Sequence, residues 1–242
     1  MGRELEWDAC WNVRDLGGYE TGSGKRTCSR SIVRAGNLSK LTAAGRDALL
    51  GYGVRTVIDL RDPREFAVDL DPFHADGPWA GQVEYVSVPL ISEAEWEAIR
   101  DPVVLKQGYV VTLDLSRANI GRAISAIATA ELGGVVIHCH AGKERTGVIA
   151  ALLLALCGVP DDLIAEDYVA SDGYLQSLYA EWAAREQDIE KRSRLLRGFR
   201  SEPEHILVPL QRVRCEGGIE TYLRRVGVTA IELTAVKERL CG

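Results

Sequence analysis

The sequence predicts an α/β fold in which a central, largely parallel sheet is flanked by helices, and three observations predict it. Two short apolar runs, Thr56-Val-Ile-Asp-Leu and Val135-Val-Ile, each follow a helix stop, as buried parallel strands do. Stretches of helical periodicity alternate with them. The resulting order of helix, strand, loop and helix is that of α/β domains.

The elements follow in chain order. The first forty residues are rich in Gly, Arg and Ser and read as turns and short strands, for example Ser31-Ile-Val-Arg. The run from Leu41 to Leu50 reads as a helix capped by Thr42 and stopped near Gly51 or Gly53. The Thr56–Leu60 strand comes next, and Val83 to Val88, bounded by Gly81 and Pro89, is a second strand. Ile120, Ile124 and Ile127 recur at helical spacing, which predicts a helix from about Ser116 to Glu131, ending before Gly133-Gly134. After Val135-Val-Ile and a short loop, Thr146 to Cys157 is apolar nearly all round, as a buried helix is. Gly158-Val-Pro160 stops it, and Pro160 with Asp161 and Asp162 starts the next.

Beyond Tyr174 the character changes. Tyr174, Leu178 and Trp182 form an i, i+4 stripe, while Asp188–Arg192 and Glu190–Arg194 have ion-pair spacing. A long, partly exposed helical segment is expected here, and Pro209 is expected to interrupt the helix after it. Thr229-Ala-Ile-Glu232 opens a last helix with a capping box, and Leu233, Val236 and Leu240 share one of its faces. No repeat or low-complexity linker divides the chain. The simplest account is one domain over 1–242 with a helical, lid-like elaboration at about 174–212.

Composition narrows the function. A net charge of −6 supplies no general basic field for nucleic acid or anionic membrane, so attraction to an anion must come from a few placed cations. The six cysteines contain no C-x-x-C pair and do not read as a disulfide framework; most are expected to be small buried apolar groups, which points to a reducing compartment. The N-terminus lacks a basic segment followed by an apolar run, and the longest apolar run, around Val148 to Cys157, is too short to span a bilayer. A cytoplasmic protein with no stable membrane insertion is the expectation, although export by a signal-independent route would leave no trace.

The chemistry converges on Val136-Ile-His-Cys139-His-Ala-Gly-Lys-Glu-Arg145-Thr-Gly. A loop running into a helix N-terminus aims unpaired backbone N–H groups inward and adds the positive end of the helix dipole, which makes an anion cradle. Gly142 permits backbone angles that a side chain would forbid. A cysteine in such a cradle is expected as its thiolate, because these settings lower a thiol's pKa. Arg145 can clamp two phosphate oxygens, and Thr146 can offer a hydroxyl to the sulfur. The candidate phosphate-binding set is therefore His140, Ala141, Gly142, Lys143, Glu144, Arg145 and Thr146, with Cys139 as nucleophile. A Walker A loop is excluded: Ile137 stands where its first Gly belongs, and Glu144 follows Gly142-Lys143. A zinc site on His138, Cys139 and His140 lacks a second ligand pair at recognisable spacing, so no metal or other cofactor is expected.

These residues resemble a known family. His138-Cys139 through Arg145-Thr146-Gly147 is similar to the signature of protein tyrosine and dual-specificity phosphatases, and the chain more narrowly resembles the bacterial tyrosine/serine phosphatase group. Asn12-Val-Arg-Asp-Leu-Gly-Gly18, Arg34-Ala-Gly-Asn-Leu-Ser-Lys-Leu-Thr42, Val57-Ile-Asp-Leu-Arg61, Asp167-Tyr168 and Tyr222-Leu223 carry the likeness from end to end. The resemblance implies a protein tyrosine phosphatase-like fold, metal-free hydrolysis through a phosphocysteine, and phosphotyrosine in proteins as substrate. Phosphoserine, phosphothreonine and phosphoinositides are substrates of other group members. Lys143 is shared with lipid-active relatives, and the 174–200 helices fall where a group member carries a mobile lid.

The general acid is open at this stage. Asp59 ends a predicted parallel strand, on the sheet edge where ligands bind, and by resemblance matches a functionally implicated aspartate; a purely structural role, holding Arg61 or a loop N–H, is the alternative. Glu144 stands where the group has aspartate, and Asp62 and Asp114 are further carboxylates to consider. Arg14 and Asp15 are expected to brace the site from their loop rather than touch substrate. Two competing functions remain: a rhodanese-like sulfurtransferase, which cyanolysis of thiosulfate would reveal, and a catalytically idle phosphate-binding module.

Overall fold

A computed structural model describes residues 3–91, 109, 110 and 112–242, with the backbone alone at Arg194, Leu195, Arg197 and Gly198. Among the described residues five strands form one sheet: β1 (Arg14–Asp15), β2 (Ile32–Ala35), β3 (Val54–Asp59), β4 (Glu84–Ser87) and β5 (Gly134–His138), in the order β1-β2-β5-β3-β4. All neighbouring pairs are parallel except the β1–β2 edge. The alternation of side chains sorts β5 into two faces. Val135 and Ile137 join Ile32 and Ile58 in the larger core cluster, while Val136 joins Val33, Ala35 and Val57 in the smaller one. Both faces are buried, which is why the strand reads as continuously apolar.

Helices bounded by described residues are α1 (Ala43–Tyr52), α2 (Pro63–Val68), α3 (Arg117–Thr129), α4 (Glu144–Leu156), α5 (Asp161–Arg185), α6 (Ile189–Gly198), α7 (Pro203–Cys215), α8 (Ile219–Arg225) and α9 (Ala230–Cys241). Local signals set most of their ends. The Thr42 hydroxyl accepts from the Gly45 N–H, and Gly53, at φ 100°, closes α1 in a left-handed conformation. Thr229 and Glu232 form the expected capping box of α9, whose Leu233, Val236 and Leu240 are buried. Helix α4 buries almost every residue from Arg145 to Leu156.

Helix α5 runs through Tyr174 to Arg185 and α6 follows from Ile189, so the segment beyond Tyr174 is helical as expected. Three other expectations are corrected. Pro209 sits inside α7 and does not interrupt it, because Ile206, Pro209, Leu210 and Val213 are all buried and their packing offsets the lost backbone bond. The Asp188 carboxylate accepts from the Glu190 and Lys191 N–H groups, so it starts a helix instead of pairing with Arg192; the Arg194 side chain of the other expected pair lies outside the described residues.

The cysteines are the third correction. Cys157, at the end of α4, and Cys241, at the end of α9, are joined in a disulfide although 84 residues apart. Of the free cysteines only Cys139 is buried; Cys10 and Cys28 are half-buried and Cys215 is exposed. Sequence spacing could not show that the helix after the loop and the last helix end side by side. No helix among the described residues is long and apolar enough to cross a membrane.

Candidate active site

Strand β5 delivers the site. His138 is the last residue of the strand and is in register with Ala35 of β2 on one side and Asp59 of β3 on the other. Cys139 therefore leaves the sheet at the C-terminal edge of its central strand, where parallel sheets bind ligands. After five intervening residues Arg145 lies in the first turn of α4, and the side chains of Cys139 and Arg145 are both buried.

The loop between them is held from behind by its carbonyl oxygens. The Asn37 N–H donates to the His140 oxygen at 2.8 Å, Asn12 Nδ2 to those of Ala141 and Gly142 at 3.0 and 2.9 Å, and Arg34 Nη2 to those of Gly142 and Lys143 at 2.7 and 3.3 Å. In a trans peptide the C=O and the following N–H point opposite ways. The amides of Ala141, Gly142, Lys143 and Glu144 consequently turn away from these anchors and into the concavity, as an anion cradle requires. Gly142 has φ 66°, and a Cβ there would lie 2.3 Å from the Ala35 oxygen, so no other residue fits.

The anchors are themselves fixed by one buried carboxylate. Asp167, on α5, accepts from Arg14 Nε at 2.8 Å and from Tyr19 Oη at 2.7 Å, and pairs with Arg34 through its other oxygen. Burial opposes ionisation of Asp167, but the two guanidinium groups override it and hold the carboxyl down to about 2. Arg14 also bonds Asn12, so the opening motif braces the loop as expected. Asp15 accepts from the Gly17 and Arg30 N–H groups and shapes its own turn.

Asp59 is placed differently from a proton donor. It is buried, and Arg61 grips both its oxygens at 2.6–3.0 Å while the Tyr85 hydroxyl donates to it at 2.8 Å. Burial works against its charge, yet His138 and the Arg61 fork hold its carboxyl down to about 2. These contacts, with the Arg61 backbone N–H also donating to Asp59 at 2.9 Å, are those of the structural role, in which Asp59 holds Arg61 and its loop. Asp62 caps α2 by accepting from the Arg64 N–H, and Asp114 pairs with Arg117 on the surface. Glu144 remains, the first residue of α4 at the end of the loop and half-buried.

Two residues that the sequence did not single out belong to the site. Glu65, on α2, spans the Arg145 guanidinium: Nη2 donates to Oε1 at 2.8 Å and Nη1 pairs with Oε2. Burial disfavours the Glu65 charge, but Arg145 holds its carboxyl below the ordinary value. Glu65 also completes a capping box with Asp62, and that local spacing was its only sequence signal. Asp71 is fully buried with Oδ2 3.3 Å from His138 Nε2, while His138 Nδ1 lies 3.4 Å from the Cys139 carbonyl oxygen. Asp59, Asp71 and His138 form a group whose donor atoms could hold a metal ion. Arg61, paired with Asp59 and 3.8 Å from Asp71, places one cation against both carboxylates.

The second half of α5 and the residues after α6 cover the loop. His140 stacks on Trp182 with ring centroids 5.5 Å apart, and burial lowers the pKa of its imidazole. Ala141 packs with Leu175, Leu178 and Tyr179, and Tyr179 stacks on Phe199 at 4.2 Å. Lys143 is fully buried; its ammonium donates to the Phe199 carbonyl and lies 3.7 Å from Asp172 Oδ1, so it faces this cover. The Thr146 hydroxyl is buried without a hydrogen-bond partner among the described residues, leaving it available to the sulfur.

Comparison with known proteins adds to this geometry. Residues 5–242 match the tyrosine phosphatase family. A tyrosine-protein phosphatase of Nostoc commune is 31% identical over 229 residues, which cover 87% of this chain and 74% of the relative. The triple specificity protein phosphatase PtpB of Mycobacterium tuberculosis is 28% identical over 201 residues, covering 72% of this chain and 71% of that one. A solved structure of TpbA from P. aeruginosa in complex with pTyr is a looser likeness, 18% identical over 76% of this chain and 94% of that one, with a TM-score of 0.40.

Proposed function

The chain belongs to the tyrosine phosphatase family, and from this we propose that it hydrolyses phosphotyrosine in proteins through a phosphocysteine formed on Cys139. The observation that carries the reading is the loop with its carbonyl oxygens tied outward and its amides turned inward beside a buried cysteine and arginine.

In this mechanism the amides of residues 141–144, the α4 N-terminus and Arg145 neutralise the phosphoryl oxygens. The Cys139 thiolate attacks phosphorus as the bond to the leaving oxygen breaks, and the Glu144 carboxyl gives that oxygen its proton. Water then attacks the phosphocysteine, its proton returns to Glu144, and the thiolate leaves with inorganic phosphate released. Glu144 takes the acid's part because Asp59 and Asp62 are committed to ion pairs and backbone donors. Glu65 braces the Arg145 guanidinium, and the helical segment over His140 and Lys143 acts as a lid that must move before substrate enters. Lys143, once released, adds a second cation for multiply charged substrates, which extends the reading to phosphoserine, phosphothreonine and phosphoinositides. The name of the mycobacterial relative supports a broad range of this kind.

The test is steady-state hydrolysis of phosphotyrosine, phosphoserine and phosphoinositide substrates without added metal, for wild type, Cys139→Ser and Glu144→Gln. Turnover is expected to vanish in Cys139→Ser, and Glu144→Gln is expected to lose the arm of the pH profile that reports the acid. Turnover that survives Cys139→Ser, or that requires metal, would overturn the mechanism.

A further inference from the structure

Helix α6 and the residues leaving it are strongly cationic in a chain that is acidic overall. Between positions 191 and 200 lie Lys191, Arg192, Arg194, Arg197 and Arg200, with no acidic residue among them, against a net charge of −6 for the whole chain. Lys191 and Arg200 are exposed, and neither they nor Arg192 forms an ion pair among the described residues. On the same helix Ile189 is 69% exposed and Leu196 46%, at i, i+7 spacing that places them on one face. Cations alone would suit any polyanion. Cations flanking an exposed apolar stripe on a short helix are the chemistry of a helix lying in the surface of an anionic bilayer.

We propose that α6 is a membrane-docking helix for anionic lipid headgroups, and that docking opens the site beneath it. The connection is covalent and short. Phe199 follows α6 directly; its carbonyl receives the Lys143 ammonium and its ring stacks on Tyr179. Ser201 continues the contact by donating its N–H to Asp172 at 2.8 Å, next to Lys143. A bilayer that engages Ile189, Leu196 and the cations draws α6 outward, and Phe199 must leave Lys143 and Tyr179 with it. Lys143 is then released into the site at the moment a lipid surface is present. No membrane-spanning element is needed, since the helix lies on the surface.

The docking claim rests on no catalytic reading, whereas the activation claim rests on the proposed phosphatase activity, and two measurements keep them apart. The first is co-sedimentation of the full chain with phosphatidylserine and with phosphatidylcholine vesicles, for wild type, Cys139→Ser and the triple variant Lys191→Glu, Arg192→Glu, Arg200→Glu. Wild type and Cys139→Ser are expected to bind only the anionic vesicles and to release them at about 1 M salt, where the Debye length is about 3 Å. The triple variant should bind at least about a hundredfold more weakly, since each basic residue near such a surface contributes roughly fivefold. The second measurement is hydrolysis of a soluble aryl phosphate, which anionic vesicles should stimulate in wild type and leave unchanged in the triple variant, whose vesicle-free rate should match wild type. Absence of vesicle binding, equal binding by the triple variant, or binding to heparin with none to vesicles would overturn the docking. Binding without stimulation, in an enzyme that turns over, would overturn the coupling to the lid.

Discussion

Glu65 and Arg145 meet side-on across the mouth of the loop, each guanidinium Nη facing one oxygen of the carboxylate. Helix α2 thereby fixes the orientation of a residue on α4. Glu65→Gln keeps the shape and removes the charge. Hydrogen bonds to charged groups are worth about 1.5–3 kcal/mol, so kcat/KM for a phosphotyrosine peptide is expected to fall about 10–100-fold. Steady-state kinetics decides between bracing and blocking: a rise in kcat/KM would mean that Glu65 competes with phosphate for Arg145.

Gly142→Ala is expected to damage the cradle far more than its size suggests. The new Cβ would sit 2.3 Å from the Ala35 oxygen at a φ of 66°. Left-handed strain of this kind costs on the order of 1–3 kcal/mol before the clash is relieved, and relief requires the loop to shift off its anchors. Thermal unfolding should fall by several degrees, and activity should drop further than stability does. Wild-type turnover in this variant would show that the loop backbone tolerates displacement.

Acid should unfold the protein in a particular window. Asp59 and Asp167 have folded values of about 2 against an ordinary 3.8, so the folded state binds fewer protons than the unfolded state between those values. Depressed carboxylates contribute stability above the unfolded value and lose it as pH falls through the folded one, about 2 kcal/mol for each group. Urea unfolding between pH 6 and pH 2 (roughly the range that brackets both values) should show stability flat above about pH 5 and falling steeply below about pH 4. A flat profile to pH 2 would mean that these buried pairs are not ionised in the folded protein.

Phe199→Ala removes the ring stacked on Tyr179 while leaving the carbonyl that Lys143 uses. Amide hydrogen exchange should quicken in the second half of α5, from Tyr174 to Arg185, and kcat/KM for bulky phosphopeptides should rise a few-fold. Uniform, slow exchange from 174 to 200 in the wild-type protein would count against a lid.

Local chemistry made much of this molecule legible in its sequence. Cys139, Gly142 and Arg145 sit between an apolar strand and an apolar helix, and that spacing alone specifies a cradle because a helix N-terminus always presents unpaired amides. The caps at Thr42, Gly53 and Thr229 were readable for the same reason: each signal and its consequence lie within a few residues.

Tertiary structure alone decided what approaches that cradle from elsewhere in the chain. Glu65 reaches Arg145, Asp71 reaches His138, Arg34 and Asn12 hold the loop carbonyls, Cys157 finds Cys241, and Phe199 receives Lys143. Each is a contact between distant positions, with no periodicity or spacing to announce it. Asp59 shows the difference most plainly. Its place at the end of a strand was visible in the sequence, but its state was set by Arg61, Tyr85 and His138 converging on one buried carboxylate, and charge in a protein interior is decided by neighbours in space.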